Sequence, residues 1–557
     1  MKKIGFFALV FMTMAVSAAA QEKKDDFSAF MKEELASFNK FMDDANRDFI
    51  NFLRDPWKEF EADKPVVKRT KPEPVKPVVY DEKTAPKDEK PVRLTIEEIL
   101  DLSTTEGKQN PVVKIKDVDD IQFDKPAVIV KKKKKPTVVV VEDKKADKPV
   151  VEPEGGKQEP VIVPQEEPLQ VPEEEPVSAD VEPTNSGTTP ARNTPLYDGG
   201  IGRSKIVYMG QVFYLPDELK GKCRLNGVKE NDVADAYEAM CGADYKPLLT
   251  ECKQIASDMQ LNDWGVFTLL RTVADAFCSN ENESVVMQQF LLNEMGYKAK
   301  MARKANANKM LLFVAADCTI YGYPVLKLGG VTYYTVNSNE PCAFYMCEKD
   351  APNARNDLQM QLKHSPVFQG KTVRTTHQAK GNAAKVTVDV PEELMAFYKN
   401  YPQCDYSVYF KASVNKSVAT ALLSSLSPFI QGKSEVEAAN ILINFVQTAF
   451  QYATDDEQFG YEKPFFVEEL FYYPYSDCED RSMLYSYLVR NLLGLDVVLL
   501  DYPNHIATAV RFNGDVVGDY LMVNGQKYIV CDPTYIGASI GMTMPAFKKV
   551  AAKVLKY

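Results

Sequence analysis

Apolar and polar positions divide the chain into stretches of different character. Ile4 to Val16 is an unbroken apolar run between Lys2-Lys3 and Ser17-Ala18-Ala19-Ala20. That is the pattern of a secretory signal over 1–20, cleaved after Ala20 and too short to span a membrane. In 21–62, Phe27, Phe30, Leu35, Phe38, Phe41, Phe49, Phe52, Leu53, Trp57 and Phe60 recur mostly at three- and four-residue steps. This predicts an amphipathic helical segment that Pro56 breaks or restarts. Its aromatic stripe needs a partner: this protein's own core, another protein surface or a second copy. The polar faces mix both charge signs, which argues against a membrane-surface helix.

From 63 to 194 the periodicity disappears. More than half of the chain's 34 prolines fall here among Val, Lys and Glu, and Phe123 is the only aromatic between Tyr80 and Tyr197. Such a segment cannot bury a core and reads as a disordered linker that tethers the N-terminal helix far from the rest.

Folded patterning resumes at Pro195. Lys205 to Leu215 reads as strands and Asp232 to Met259 as a helical block. An internal repeat comes next. Gly296 and Gly494 each close a helix, and aligning them places Glu281 on Glu479, Ser284 on Ser482 and Asn293 on Asn491 without a gap. The strand-like runs Met310 to Ala315, Val325 to Leu328 and Thr332 to Val336 parallel those after Gly494. These limits define a first copy over 195–345, a connecting β-rich segment over 346–414 and a second copy over 415–557. In the connecting segment, Lys385 to Val390 and Tyr406 to Lys411 alternate like strands.

In the second copy, Ser434 with Glu437 starts a helix that runs to Phe450. Ser476 with Glu479 looks like a second capping box and puts Cys478 in the first helical turn. Leu495 to Asp501, His505 to Phe512, Val516 to Val523 and Lys527 to Asp532 read as strands. Tyr502-Pro503-Asn504 turns the chain into His505, and Asn513-Gly514 and Asn524-Gly525 are hairpin signals. The fold class is therefore α+β: a helix carrying Cys478 packed on an antiparallel sheet carrying His505 and Asp532.

Composition adds limits. The net charge is −11, and the one basic run, Lys131 to Lys135, lies in the linker. It reads as a solvated charge block, so no nucleic-acid partner is expected. No later stretch approaches about 18 uninterrupted apolar residues, so no transmembrane span is expected. Ten cysteines and only three histidines, with no CxxC, argue against a zinc site, and no cofactor or metal is implied. His364 and His377 read as surface residues. Disulfide connectivity is not legible from spacing.

The chemistry sits at Cys478, His505 and Asp532. Free amides and the positive dipole end at a helix start favour a thiolate. Histidine takes the thiol proton, and a carboxylate holds the imidazole in its working tautomer. His505 is the only histidine of the second copy. The same positions of the first copy carry Asn280, Lys309 and Asn337, so that copy reads as degenerate. The motifs Asp477-Cys478-Glu479-Asp480 and Asp532-Pro533-Thr534-Tyr535, in this order, resemble the transglutaminase-like superfamily of papain-related folds over roughly 438–538. The resemblance implies a Cys-His-Asp triad and acyl chemistry through a thioester. Ala507 stands where many members have an aromatic residue. An oxyanion would be met by the Cys478 N–H and one side chain, with Gln458, Tyr473 and Tyr475 as candidates. The implied function is a secreted or periplasmic hydrolase of peptide or isopeptide bonds in protein or cell-wall peptide. The alternatives are a cross-linking acyltransferase and a non-catalytic envelope scaffold.

Overall fold

The computed structural model describes Ser37 and residues 40–67 and 200–557. The expected signal, the start of the aromatic stripe and nearly all of the linker lie outside these residues.

The N-terminal segment docks on this chain's own core. A helix over 40–54 buries Met42, Phe49, Ile50 and Leu53 along one stripe, with Trp57 buried just beyond it. The Phe49 ring meets Tyr237 edge-on at 5.3 Å. Arg54 on the flank reaches Asp235 at 2.6 Å and Glu238 at 2.7 Å. Pro56 ends the helix, as expected. Beyond Pro56 the chain does not return to helix but extends as strand β1 (Lys58–Glu61), which pairs antiparallel with a strand at 343–346.

A hairpin comes next, β2 (Arg203–Tyr208) with β3 (Gln211–Pro216). The helical block is two helices, Glu230–Cys241 and Lys246–Asp258, separated around Gly242. Helices Asp263–Phe277 and Glu281–Glu294 are capped by Asn262 and Asn280, whose side chains accept amide N–H groups three residues on. The chain then lays down β4 (Ala299–Lys304), β5 (Met310–Ala315), β6 (Val325–Leu328), β7 (Val331–Thr335) and β8 (Ala343–Met346). They form one antiparallel sheet in the order β1-β8-β4-β5-β7-β6. Asp63 forms a bridge with Val325 at the far edge, with N–H···O distances of 2.8 and 3.1 Å. The N-terminal segment therefore contacts both edge strands, which would otherwise expose unpaired backbone.

The connecting segment holds the hairpin β9 (Thr372–Gln378) and β10 (Lys385–Pro391). Tyr406–Phe410 is a short helix rather than the expected strand. Its three consecutive buried side chains, Val408, Tyr409 and Phe410, cannot all face one side of a strand. His377 is half-buried rather than superficial. Its ring stacks on Phe450 at 4.7 Å and meets Phe471 edge-on at 5.3 Å. His364 is exposed.

In the last part, helices Lys416–Ile430 and Glu435–Ala449 precede a parallel pair, β11 (Gln451–Tyr452) and β12 (Tyr475–Ser476). Helix Cys478–Leu488 passes through a π-helical turn, Val489–Leu493, and Gly494 closes it with a φ of 65°. Strands β13 (Asp496–Tyr502), β14 (His505–Arg511), β15 (Tyr520–Val523), β16 (Gln526–Cys531) and β17 (Lys553–Lys556) then form a sheet in the order β15-β16-β14-β13-β17. Strand for strand this is the order of the first sheet, β6-β7-β5-β4-β8, without β1. Patterning found β5, β6 and β7 of the first sheet and β13 to β16 of the second, but missed β4, β8 and β17. The Asn524-Gly525 turn forms as expected, with φ values of 52° and 76°. Asn513-Gly514 makes no tight hairpin, because β14 pairs with β16 and not with β15. Asn513 instead anchors on Glu435 through its N–H at 3.0 Å and its side chain at 2.7 Å. The helices and the facing sides of both sheets share the largest apolar core; smaller clusters cover the opposite sides.

Candidate functional site

Helix Cys478–Leu488 begins one residue later than its local sequence suggests. Asp477, not Ser476, is the cap position, and its N–H donates to the Asp480 carboxylate at 3.1 Å. Asp caps as well as Ser, and Ser476 is occupied in β12, with its Oγ 3.3 Å from Arg481 Nε. Cys478 is therefore the first helical residue. The residue is 2% exposed, and its thiol donates to Glu479 Oε2 at 3.3 Å and accepts from the Ile506 N–H at 3.3 Å. Ser482, one turn on, donates to the Ile506 carbonyl at 3.0 Å. Two bonds thus lock the helix start to the residue after His505.

Pro503 and Asn504 form the β13–β14 turn, Asn504 taking the left-handed conformation at φ 71° that asparagine tolerates. His505 is the first residue beyond it. Its Nε2 lies 2.8 Å from Asp532 Oδ2, and its ring stacks on Phe547 at 4.8 Å. Asp532 comes directly after the last residue of β16. Its Oδ1 accepts the N–H groups of Thr534 at 2.9 Å and Tyr535 at 3.2 Å. Pairing of β14 with β16 brings the two residues together. With Nε2–H donated to the carboxylate, Nδ1 is the ring nitrogen left to accept a proton.

Two residues that periodicity did not single out hold these parts in place. Gln447 is buried, and its Nε2 reaches the carbonyls of Asp532, Tyr535 and Ala538 at 3.2, 2.8 and 3.0 Å. Its Oε1 accepts from Gly537 at 3.3 Å. Helix Glu435–Ala449 thereby grips the loop that carries Asp532. Arg481, wholly buried, donates to the carbonyls of Gln447 at 3.3 Å and Phe450 at 3.0 Å, at the end of the same helix. Burial pulls its guanidinium down to about 10. An arginine at mid-motif reads as a surface charge in sequence, so nothing flagged this role.

The oxyanion candidates lie on the aromatic loop before the helix. The Gln458 side chain is engaged with the Tyr475 backbone, at 3.4 Å to its carbonyl and 3.1 Å from its N–H. Tyr473 packs against Phe459 and Phe465, and Tyr475 is exposed. Cys531, next to Asp532, contacts the Tyr485 hydroxyl, and burial pushes its thiol up to about 12.

Acidic groups crowd the thiol. The donor atoms of Asp477, Cys478 and Glu479 lie within 4.8 Å of one another, as do those of Asp455, Asp477 and Asp480, and of Asp455, Glu462 and Glu479. Burial, with Asp477 and Glu479 alongside, pushes the Asp480 carboxyl well above the usual range. So oxygen-rich a set suits a hard cation better than zinc. A cleft of about 830 Å³ runs beside the site, lined by Thr319, Tyr321, Asp405, Tyr406, Tyr502 and Lys553 together with His505 and Ile506. Among the described residues no helix is long and apolar enough to cross a membrane.

No family model, curated protein or solved structure matches this chain.

Proposed function

We propose that the chain is a transglutaminase-like cysteine enzyme that hydrolyses peptide or isopeptide bonds through a thioester on Cys478. The observation that carries this reading is the His505–Asp532 pair, 2.8 Å apart and clamped by two backbone amides, on the strand whose next residue binds the Cys478 sulfur. In this reading the Cys478 proton passes to His505 Nδ1, and Asp532 stabilises the imidazolium. The thiolate attacks the carbonyl of a substrate lying in the cleft. The imidazolium protonates the leaving amine, and water activated by His505 then cleaves the thioester. The helix-start N–H of Cys478 meets the oxyanion.

The shared strand order of the two sheets supports a duplicated papain-related core with a degenerate first copy. There, the Met310 N–H donates to Asn282 at 2.8 Å, the counterpart of the Ile506–Cys478 contact. This contact favours Asn282 over Asn280 as the stand-in for the cysteine. If Met310 matches Ile506, the pair Phe313–Thr335 matches Ala509–Val530, and Lys309 and Asn337 correspond to His505 and Asp532. The N-terminal signal pattern supports export to the periplasm or medium, where protein or cell-wall peptide is the substrate class.

A non-catalytic scaffold is the second reading, favoured by the near-complete burial of Cys478 and its bond to Glu479. Incubation of the full chain with a peptide mixture, with and without an added primary amine, separates the possibilities. Hydrolysis predicts new carboxyl termini that Cys478→Ala abolishes. Incorporation of the amine would replace hydrolysis by cross-linking. No turnover, or turnover indifferent to Cys478→Ala, would leave the scaffold.

A further inference from the structure

Two pairs of cysteines far apart in sequence meet in the fold, and neither belongs to the candidate site. The first is Cys223 with Cys278. The loop before helix Glu230–Cys241 runs beside the junction of helices Asp263–Phe277 and Glu281–Glu294, with Gly221 N–H to Phe277 carbonyl at 3.2 Å. Both sulfurs rest on the latter helix: Cys223 Sγ lies 3.3 Å from the Glu283 carbonyl and Cys278 Sγ 3.7 Å from Met287 Sδ. These two contact points are one helical turn apart, which brings the sulfurs side by side, and the Cys278 thiol is the first influence holding the Cys223 proton in place.

The second pair is Cys318 with Cys404. Ile320 and Cys404 are antiparallel bridge partners, and Tyr321 N–H donates to the Gln403 carbonyl at 2.9 Å. The Thr319 N–H donates to the Asp405 side chain at 3.0 Å, so the bend that carries Cys318 crosses directly over Cys404. The Cys318 thiol is the first influence that holds the Cys404 proton in place. Cys342 and Cys347, close in sequence, do not have this geometry: they pack against different apolar clusters. They flank β8 at opposite ends and, being five residues apart, point to opposite faces.

We propose that Cys223–Cys278 and Cys318–Cys404 are disulfide pairs, closed by exchange with a small-molecule or protein disulfide. In each pair one thiol is buried and the other half-buried. The half-buried Cys278 or Cys318 attacks the incoming disulfide as thiolate, forms a mixed disulfide and expels one thiolate. The buried partner then loses its proton, attacks the protein sulfur of the mixed disulfide and expels the second thiolate. Two protein thiols and one external disulfide become one protein disulfide and two external thiols. The neighbouring thiol and burial hold Cys223 and Cys404 up, out of the reactive range, which gives the first attack to the half-buried member. The second bond has a consequence for the cleft. Thr319 and Asp405, the chain neighbours of its two cysteines, line the wall near His505, and the Thr319 N–H donates to Asp405 at 3.0 Å. A Cys318–Cys404 bond fixes that wall.

The test is peptide mapping of the full chain, purified reduced, equilibrated with oxidised glutathione and alkylated with N-ethylmaleimide under denaturing conditions. Expected are peptides joining Cys223 to Cys278 and Cys318 to Cys404, with the remaining cysteines alkylated. Full alkylation of these four, or their joining to other cysteines, would overturn the assignment. In Cys278→Ser, Cys223 should become alkylated while Cys318–Cys404 stays joined; a new partner for Cys223 would count against specific pairing. The readout is independent of activity, so it stands or falls apart from the proposed hydrolysis.

Discussion

A single glutamine sets the position of the candidate triad's carboxylate. Asp532 orients His505 only if its own loop is rigid, and Gln447 holds that loop through three carbonyls from the interior of another helix. Gln447→Leu keeps the size and leaves those carbonyls without their donor, so the loop shifts. A misplacement on the order of 1 Å costs roughly 10²-fold in rate. The expected outcome in steady-state kinetics is a fall in kcat of that order with KM little changed. An unchanged kcat would show that Gln447 does no positioning. The three side chains of the candidate triad stand out in the sequence because cysteine at a helix start, a lone histidine opening a strand and Asp-Pro each carry local signals. Gln447, Arg481 and Glu479 were not, because their roles come from contacts with residues distant in sequence or from burial that pattern does not reveal.

Elements bring the site together through close backbone approaches and aromatic packing. Gly518 and Gly541 pass back to back beside β16, where Asp519 N–H donates to the Gly541 carbonyl at 2.8 Å. A Cβ on Gly518, whose φ is 147°, would sit 2.5 Å from the Gly541 Cα. Gly518→Ala should therefore destabilise the sheet by about 2 kcal/mol or more in denaturant unfolding; a change within 0.5 kcal/mol would contradict the packing. His377 links the β9–β10 hairpin to the aromatic loop. Burial among its neighbours lowers its imidazole below the ordinary value of 6.5. The unfolded chain then binds the proton more readily, so stability rises with pH across the window below about 6.5 and is lost as pH falls through it. Melting from pH 5 to 8 should show this slope in the wild type and a flatter one in His377→Phe. The slip at Tyr406–Phe410 has a similar origin: five residues of mixed polarity fit either period, and only the tertiary environment decides.

At the scale of the whole molecule, two sheets with one strand order are joined by a shared core, and the N-terminal segment finishes the first. The aromatic stripe announced that this segment needs a partner surface, and the partner is its own chain. What sequence could not supply was the change from helix to strand after Pro56, since a lone four-residue strand carries too little pattern. The second sheet ends on β17, whereas the first has β1 beyond β8, contributed from across the long linker. Trp57 is buried where helix gives way to strand, and its Nε1 donates to the Leu53 carbonyl at 3.0 Å. Trp57→Ala should cost about 3–5 kcal/mol, read as a lower unfolding midpoint. Limited proteolysis of that variant should release the segment ahead of the linker; equal protection in both proteins would mean that the docking contributes little.

The central claim is that Cys478 is an activated nucleophile served by His505. The most direct test is the rate of Cys478 alkylation by iodoacetamide across pH, in wild type and in His505→Ala, with peptide mapping to separate it from the other cysteines. The account predicts a rate that has already levelled off below about pH 7 in the wild type and loses that plateau in the variant. A rate that climbs as for an ordinary thiol near 8.5, alike in both proteins, would contradict it and leave a folded scaffold with a buried cysteine.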